Sequence, residues 1–243
     1  MEQHMPHENT HDPNAENTMS HAGHETLFPK VHWSWNPSRI LPNEDVEIVL
    51  DFKKGNDVVT LDVIHEKEIH LLMISKNLQH FEHIHPEKKH DSYKAVARFP
   101  EFGHYKLFAD FSIESQALTE SAWVYVDGPW KAYEPLIGLE SVKKQTIDGI
   151  SVELLVEGNL RELDQPVMLT FAFTDDKNGK AIQLGKYLGE SGHVVIANEH
   201  LDQYVHVHPA TAYREGISEA QFHTYFPQWG YYKIWGQFFI KVL

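Results

Sequence analysis

Residues 70–86 read HLLMISKNLQHFEHIHP, and residues 193–209 read HVVIANEHLDQYVHVHP. A shift of 123 residues, from position 70 to position 193, superposes a leading histidine, a closing His-x-His pair and the proline that follows it. Further along, a shift of 127 residues, from position 99 to position 226, superposes Phe99-Pro100 on Phe226-Pro227. Repetition over this length predicts that the chain is a tandem duplication of one domain.

Both copies consist of short strand-like segments separated by turn residues. Residues 45–52 alternate between polar and apolar side chains, and residues 53–57 have the Lys, Gly and Asn composition of a turn. Because such segments recur without a sustained period of 3.6, we predict an all-β fold of two tandem β-sandwich domains, immunoglobulin-like or cupredoxin-like. The other strands predicted in the first copy cover residues 70–74, 81–85, 93–99, 104–111 and 122–126.

Composition divides the chain into three parts. Residues 1–28 are rich in His and Met, contain no Lys or Arg, and are predicted to be a disordered leader. A Pro- and Gly-containing linker then separates a first domain at residues 29–130 from a second domain at residues 135–243. The second copy has no evident counterpart of the strand at residues 122–126, so we expect its last strand to be short, missing or donated from elsewhere.

Charge and cysteine content exclude several classes of protein. Asp and Glu outnumber Lys and Arg by 35 to 21, which gives a formal net charge of −14. Nucleic acid is bound mainly through Lys and Arg, so we exclude it as a partner, and the acidic balance favours a cationic ligand. The absence of cysteine excludes disulfides, thiolate zinc sites, iron–sulfur clusters and blue-copper centres. No segment approaches the roughly 18 apolar residues of a membrane helix, so we expect membrane contact only through a lipid anchor on a removed signal segment.

Histidine is the unusual residue, with 18 copies in the chain. Most residues that recur are Phe, Tyr, Leu, Gly or Pro, which any duplicated β-fold keeps, whereas a core has no need of histidine. Residues i and i+2 of a strand project from the same face, so the two rings of each His-x-His pair point together. A hairpin at residues 75–80 brings the leading histidine beside them. We therefore predict one three-His metal site per copy, formed by His70, His83 and His85 and by His193, His206 and His208.

The ligand type narrows the choice of metal. Three neutral imidazoles without a thiolate or a repeated carboxylate suit copper or zinc, whereas calcium and magnesium prefer oxygen ligands. The His and Met residues of the leader favour a copper ion, with zinc as the alternative. Because ligating imidazoles must be deprotonated, we expect affinity to weaken as the pH falls from about 7 to about 5.

The segment at residues 70–86, followed by FPEFGHYKLFAD at residues 99–110, resembles the repeat of a known family. That family comprises bacterial secreted or lipid-anchored proteins with YtkA-like, immunoglobulin-type β-sandwich domains associated with copper and heavy-metal handling. The resemblance covers both copies and excludes the leader. It implies an extracytoplasmic copper-binding protein that serves copper tolerance, sequestration or delivery, with a copper transporter or a cuproprotein as its partner and the same six histidines as ligands.

Two other function classes stay open. Copper–zinc superoxide dismutase also carries a His-x-His pair on a β-sandwich, so a redox enzyme is one alternative to a non-enzymatic carrier, although no group resembles its zinc loop. The other alternative is an adhesive or structural module in which the recurring histidines have no ligand. Metal handling predicts about two tightly held ions per chain, one for each predicted site. The remaining histidines of the two copies, among them His65, His80, His90, His104, His200 and His223, are predicted to have structural roles.

Overall fold

The computed structural model describes residues 29–55, 57–129, 143–205 and 207–241, and within these ranges the regular elements are β-strands, which confirms the all-β prediction. The predicted leader, His206 and the side chain of His208 lie outside the described residues. In the same ranges we find no helix with the length and apolar character needed to cross a membrane. The strands are β1 (Lys30–Asn36), β2 (Asp45–Lys54), β3 (Asp57–Val58), β4 (Ile69–Ser75), β5 (Phe81–Ile84), β6 (Glu87–Lys89), β7 (Ser92–Arg98), β8 (Gly103–Ile113), β9 (Gln116–Val126), β10 (Lys144–Ile147), β11 (Ile150–Gly158), β12 (Val167–Asp175), β13 (Leu184–Gly185), β14 (His193–Asn198), β15 (Tyr204–Val205), β16 (His208–Pro209), β17 (Glu219–Thr224), β18 (Tyr232–Gln237) and β19 (Phe239–Ile240).

The first domain is a sandwich of two antiparallel sheets. One sheet has the order β1-β2-β7-β6, with β3 also paired to β2, and the other has the order β5-β4-β8-β9. Alternate residues of β2, from Val46 to Phe52, are buried because they point at the facing sheet, as the alternating sequence predicts. The facing sheet contributes Leu71, Met73 and Leu107 to the same core.

The second domain repeats this arrangement. Its larger sheet has the order β10-β11-β12-β17-β16, and the smaller sheet β15-β14-β18 takes the place of β5-β4-β8. The register of the central pairs is also repeated, since His70 lies opposite Asp110 in the first domain and His193 lies opposite Gln237 in the second. The core between the sheets is rich in phenylalanine, including Phe171, Phe173, Phe222 and Phe238.

The smaller sheet of the second domain is one strand shorter than its counterpart. Strand β8 lies between β4 and β9, whereas among the described residues β18 is paired only with β14. The chain instead continues into β19, which pairs with β13. This agrees with the expectation that the second copy lacks a full counterpart of its last strand.

Strand β4 is buried along its whole length because both of its faces are covered. Leu71 and Met73 point into the first sandwich, whereas Leu72 and Ile74 point away from it and pack on the second domain. The apolar residues that meet there form what we call the junction cluster. Its buried members are Leu72, Ile74, Leu78, Phe108, Val195, Ala197 and Leu201, and Phe81, Tyr204 and Trp235 pack against them.

The contacts across the junction are reciprocal. Phe81 stacks on Trp235 with ring centroids 5.1 Å apart, and Phe108 stacks on Tyr204 with centroids 5.7 Å apart. Under the duplication, Phe81 corresponds to Tyr204 and Phe108 corresponds to Trp235, so the same two positions meet twice. Reciprocal contacts of this kind define a two-fold, isologous interface. The two domains are therefore related by a pseudo-two-fold axis that passes between β4 and β14.

Candidate metal centre

The β4–β5 hairpin gathers the three histidines predicted in the first copy. Its register places Leu72 opposite His83, so the ring of His83 projects beside that of His70 on the outer face of the sheet. His85 follows two residues later, just beyond the end of β5. Each of the three offers one ring nitrogen, and these nitrogens all lie within 4.8 Å of one another. The structure thus brings His70, His83 and His85 together.

Two hydrogen bonds determine where His70 and His83 carry their protons. The Nε2 atom of His70 lies 3.1 Å from the carbonyl oxygen of Ile64, and the Nδ1 atom of His83 lies 2.9 Å from Oε1 of Gln237. Both oxygens only accept hydrogen bonds, so both of these nitrogens donate. A neutral imidazole has a single N–H group. The opposite nitrogens, Nδ1 of His70 and Nε2 of His83, therefore present lone pairs.

Those two lone pairs face each other at a distance of 3.0 Å. When both rings are neutral these lone pairs repel, and the contact is relieved either by a proton carried by one ring or by a metal ion bound to both. Burial lowers the pKa of His83 to about 4, so His83 does not itself carry that proton at neutral pH. Two nitrogens bound to one metal at 2.0–2.1 Å in tetrahedral geometry lie roughly 3.3 Å apart, which is close to the observed separation.

His85 has the properties of a further ligand. Its Nε2 atom is buried and has no hydrogen-bond partner in the part of the chain that the structure describes. Burial, followed by the neighbouring His83 and His70 rings, lowers its pKa to about 3. The ring is therefore neutral at pH 7 and its lone pair is available. The expected competition by protons between about pH 7 and pH 5 consequently moves to lower pH for His83 and His85.

His193 of the second copy lies beside these three histidines, and we call the four rings the histidine cluster. Its ring is stacked on that of His70 at a centroid distance of 5.7 Å and lies 5.8 Å from the ring of His83. Burial, followed by the nearby His83, His70 and His65 rings, lowers its pKa to about 3. Its Nε2 atom is buried without a hydrogen-bond partner among the described residues. The other two ligands predicted in this copy are His206, which lies outside the described residues, and His208, whose side chain does.

A cavity of about 40 Å³ adjoins the cluster and is lined by residues of both domains. This exceeds the roughly 10–15 Å³ that one water needs. Asp110, a buried carboxylate on its wall, accepts hydrogen bonds from Tyr204 and Thr119, each at 3.2 Å. The duplication equates Asp110 with Gln237, so each domain contributes a polar acceptor at this position of the sheet. Neither residue was predicted, because an Asp aligned with a Gln gives no recurring signal.

Two equivalent turns meet beside the cluster. Ile64 pairs with Lys67 and Tyr187 pairs with Glu190 across two-residue turns whose central residues all have positive φ. The turns are joined by an ion pair of 3.7 Å between Lys186 and Glu66 and by a contact of 3.7 Å between Nδ1 of His65 and a carboxylate oxygen of Glu190. The ring of His65 is 5.3 Å from that of His193, so this histidine borders the cluster although the sequence predicted only a structural role.

Other histidines lie apart from the cluster and have neighbours of their own. His80 lies 3.5 Å from a carboxylate oxygen of Glu101, and the exposed His104 packs on Tyr125 with centroids 4.9 Å apart. His200 is exposed beside Glu199. The structure thus separates these rings from the four that converge.

The chain matches a known family model at two places. The model of the family described as Domain of unknown function (DUF8832) matches residues 26–128 and again residues 145–241. Two matches in one chain confirm the internal repeat and, with the observed sheets, the duplicated β-sandwich. The domain boundaries predicted from the sequence were 29–130 and 135–243. No curated protein matches the chain.

Among solved structures the chain is similar to a DUF4785 family protein from Legionella pneumophila subsp. pneumophila str. Philadelphia 1, with a TM-score of 0.31, 6% identity, and coverage of 88% of this chain and 47% of that one. It is also similar to S. aureus TarS, with a TM-score of 0.26, 10% identity, and coverage of 81% and 35%. A third structure, of carbohydrate-binding modules from the beta-sandwich superfamily, has a TM-score of 0.27, 8% identity, and coverage of 88% and 98%. The chain thus spans less than half the length of the first two, and TM-scores this low carry no functional argument.

Proposed function

The chain belongs to the DUF8832 family, whose domain it contains twice, and we propose that it is a metal-binding protein that holds a copper ion through His70, His83 and His85. One observation carries the proposal. Nδ1 of His70 and Nε2 of His83 face each other at 3.0 Å, and the acceptor oxygens of Ile64 and Gln237 orient the two rings so that both nitrogens present lone pairs when the rings are neutral. Metal-ligating histidines are commonly oriented by such a hydrogen bond from the second ring nitrogen.

Neutral imidazoles suit copper and zinc alike, so the choice of copper depends on the leader. Residues 1–28 combine His with Met, and these two ligand types together suit both common oxidation states of copper. Zinc is the alternative that the experiment below tests directly.

We propose that the role is sequestration or delivery rather than catalysis. The cavity of about 40 Å³ is far smaller than the roughly 300 Å³ or more of sites that take small organic molecules, which argues against an enzyme that acts on an organic substrate. The proposed setting is extracytoplasmic, with a copper transporter or a cuproprotein as the partner. This part of the proposal depends on the resemblance of residues 70–86 to secreted metal-handling repeats.

The test is metal binding by the tag-free full chain. Cu(I), Cu(II) and Zn(II) are each offered in the presence of a chelator that holds loosely bound ions, and the retained metal is measured by elemental analysis. The double variant His83→Ala/His85→Ala is compared with the control His104→Ala/His200→Ala, which removes two exposed histidines. We expect the control to retain copper as the natural chain does.

We expect the site variant to bind at least roughly 100-fold more weakly, because even a change in a residue that orients a ligand costs about 10–100-fold. Equal retention by the two double variants, or no tight binding by the natural chain, overturns the proposal. Retention of Zn(II) with displacement of copper overturns the choice of metal.

A further inference from the structure

We propose that the ion bridges the two domains, with His193 as a ligand of the same ion that His70, His83 and His85 hold. The chain would then have one shared site rather than one site per repeat. This inference rests on the proposed function and adds to it, since it assigns a ligand to the second domain and makes binding depend on the docking of the two domains.

The pseudo-two-fold axis supplies the first argument. Only residues that lie close to a two-fold axis contact their own symmetry equivalents. His70 and His193 are equivalent, and their rings are stacked at 5.7 Å with an angle of 28° between the planes. Leu72 and Val195, the next equivalent pair along the axis, also meet in the junction cluster. His193 therefore borders the group formed by His70, His83 and His85, and it would become a ligand by a small shift of its ring toward an ion held there.

The state of the His193 ring supplies the second argument. A hydrogen bond with the backbone of Leu188 orients the ring, as the carbonyl group of Ile64 orients His70. The two backbone groups belong to the two equivalent turns. The remaining nitrogen, Nε2, is buried and has no hydrogen-bond partner among the described residues. A buried lone pair beside the rings of His70 and His83 is a candidate ligand position, because it has no competing donor to accept from.

A residue of the second domain also orients a ligand of the first domain. The Nδ1 atom of His83 donates to Gln237, which lies on β18 of the second domain, 154 positions away in the sequence. That hydrogen bond leaves Nε2 of His83 without a proton and directs it at His70. Undocking the domains would remove both Gln237 and His193 from the cluster. Metal binding and domain docking are therefore linked, and each strengthens the other by the same factor.

Polar contacts between the two equivalent turns lie at the same end of the junction. Lys186 contacts Glu66 and Glu190 contacts His65, in both cases across the two domains. His65 in turn lies beside His193 and His70, with centroid distances of 5.3 Å and 6.2 Å. The site is thus bordered by matching elements of both copies.

The test compares His193→Ala with His200→Ala in the tag-free full chain, loaded with Cu(II) against a competing chelator. His200 is an exposed histidine of the same domain and serves as the matched control. Three quantities are measured: the number of tightly held ions, the affinity, and the number of coordinated imidazole nitrogens by pulsed paramagnetic resonance. Hydrogen exchange of β14 with and without Cu(II) measures how tightly the two domains are docked. The second variant, His193→Gln, keeps a polar side chain of similar size.

We expect the natural chain and His200→Ala to hold one tight ion, with slower exchange of β14 when it is bound. Both His193 variants should hold that ion at least roughly 10-fold more weakly, with one coordinated imidazole fewer and no effect of the ion on β14. Two ions in the natural chain, of which His193→Ala loses one and keeps the other at full affinity, would show separate sites and overturn the bridge. Unchanged affinity in both His193 variants would also overturn it, and in either case the proposed function would stand. If the natural chain holds no tight Cu(II), the proposed function itself fails.

Discussion

At the scale of single residues, the cluster is defined by hydrogen bonds on the outer side of each ring. The carbonyl oxygen of Ile64 and the amide oxygen of Gln237 accept from His70 and His83 respectively, and this decides which nitrogens carry lone pairs. Gln237 affects metal binding without contacting the ion, because it selects the tautomer of His83, which is the proposed ligand. It is a positioning residue.

Replacing Gln237 tests this role. In Gln237→Leu the Nδ1–H group of His83 loses its acceptor, and the proton is free to move to Nε2, the proposed ligating atom. We expect copper affinity to fall by about 10–100-fold. Gln237→Glu keeps an acceptor oxygen and should restore binding, as the equivalent position of the first copy is already an aspartate, Asp110. Competition titrations measure both variants. Equal binding by Gln237→Leu and the natural chain, or failure of the glutamate to restore binding, would contradict a positioning role.

The buried rings also make the metal-free protein sensitive to acid. Burial lowers the pKa of His83 to about 4 in the folded chain, whereas in the unfolded chain the ring titrates near about 6.5. Between these values the unfolded state binds more protons, so the free energy of unfolding falls as the pH is lowered from 6.5 toward 4. The loss is on the order of 3 kcal/mol for this ring, and His85 and His193 act in the same direction.

Urea denaturation of the metal-free protein at pH 7 and at pH 4.5 measures this effect. His83→Leu removes the titrating group and should lose less stability over the same interval than the natural chain. His104→Leu, at an exposed position, should lose as much as the natural chain does. Identical pH dependence in the natural chain and His83→Leu would show that the ring is not buried in a neutral state.

At the scale of elements, the strands with a core-facing apolar pattern were predictable and the peripheral ones were not. The strands predicted at residues 70–74 and 81–85 end within a residue of β4 and β5. Strand β1 was missed, and β9 was predicted only over residues 122–126 because its first part, residues 116–121, is mostly exposed and polar. An edge strand has one neighbour and a solvated face, so its sequence need not alternate.

The site residues that the sequence predicted are close together in the chain, and the one that it missed is distant. His70, His83 and His85 are in one hairpin, so a local register places them together. Gln237 reaches them only because two sheets pack across the junction, and no spacing along the chain encodes that contact.

Stacking across the junction makes a separate prediction about stability. Trp235 of β18 packs on Phe81 of β5 with an angle of 18° between the ring planes. We expect Trp235→Ala to lower the free energy of unfolding by about 2 kcal/mol, below the roughly 3–5 kcal/mol of fully buried aromatic residues because this side chain is half-buried. Trp229→Ala, at a tryptophan that is 64% exposed in the same domain, is the control and should change it by less than about 0.5 kcal/mol. Urea denaturation of the metal-free chain tests both, and equal effects would mean that the junction contributes little.

At the scale of the whole molecule, the two copies are arranged like the subunits of a symmetric dimer joined in one chain. Strand β4 is a central strand buried on both faces, and its unbroken apolar run is typical of such a strand. The sequence does not show which sheet covers the outer face of β4. Leu72 and Ile74 on that face would be apolar whatever sheet packed on them. Because the two copies share one sequence pattern, each can pack on the other through the same surface. The structure shows this packing, with Phe81 stacked on Trp235 and Phe108 stacked on Tyr204.

This arrangement predicts how a bound ion changes the stability of the molecule. An ion that binds only the folded, docked chain adds about 4 kcal/mol when its free concentration is 1,000 times the dissociation constant. If the ion bridges the domains, the added protection should appear equally in both cores, for example at Ile48 of β2 and at Leu169 of β12. Native-state hydrogen exchange with and without Cu(II) measures the two cores in the same sample. In His193→Ala the gain should be confined to the first domain, because the three remaining ligands all belong to it. A gain confined to the first domain in the natural chain would instead mean that the ion has no ligand in the second.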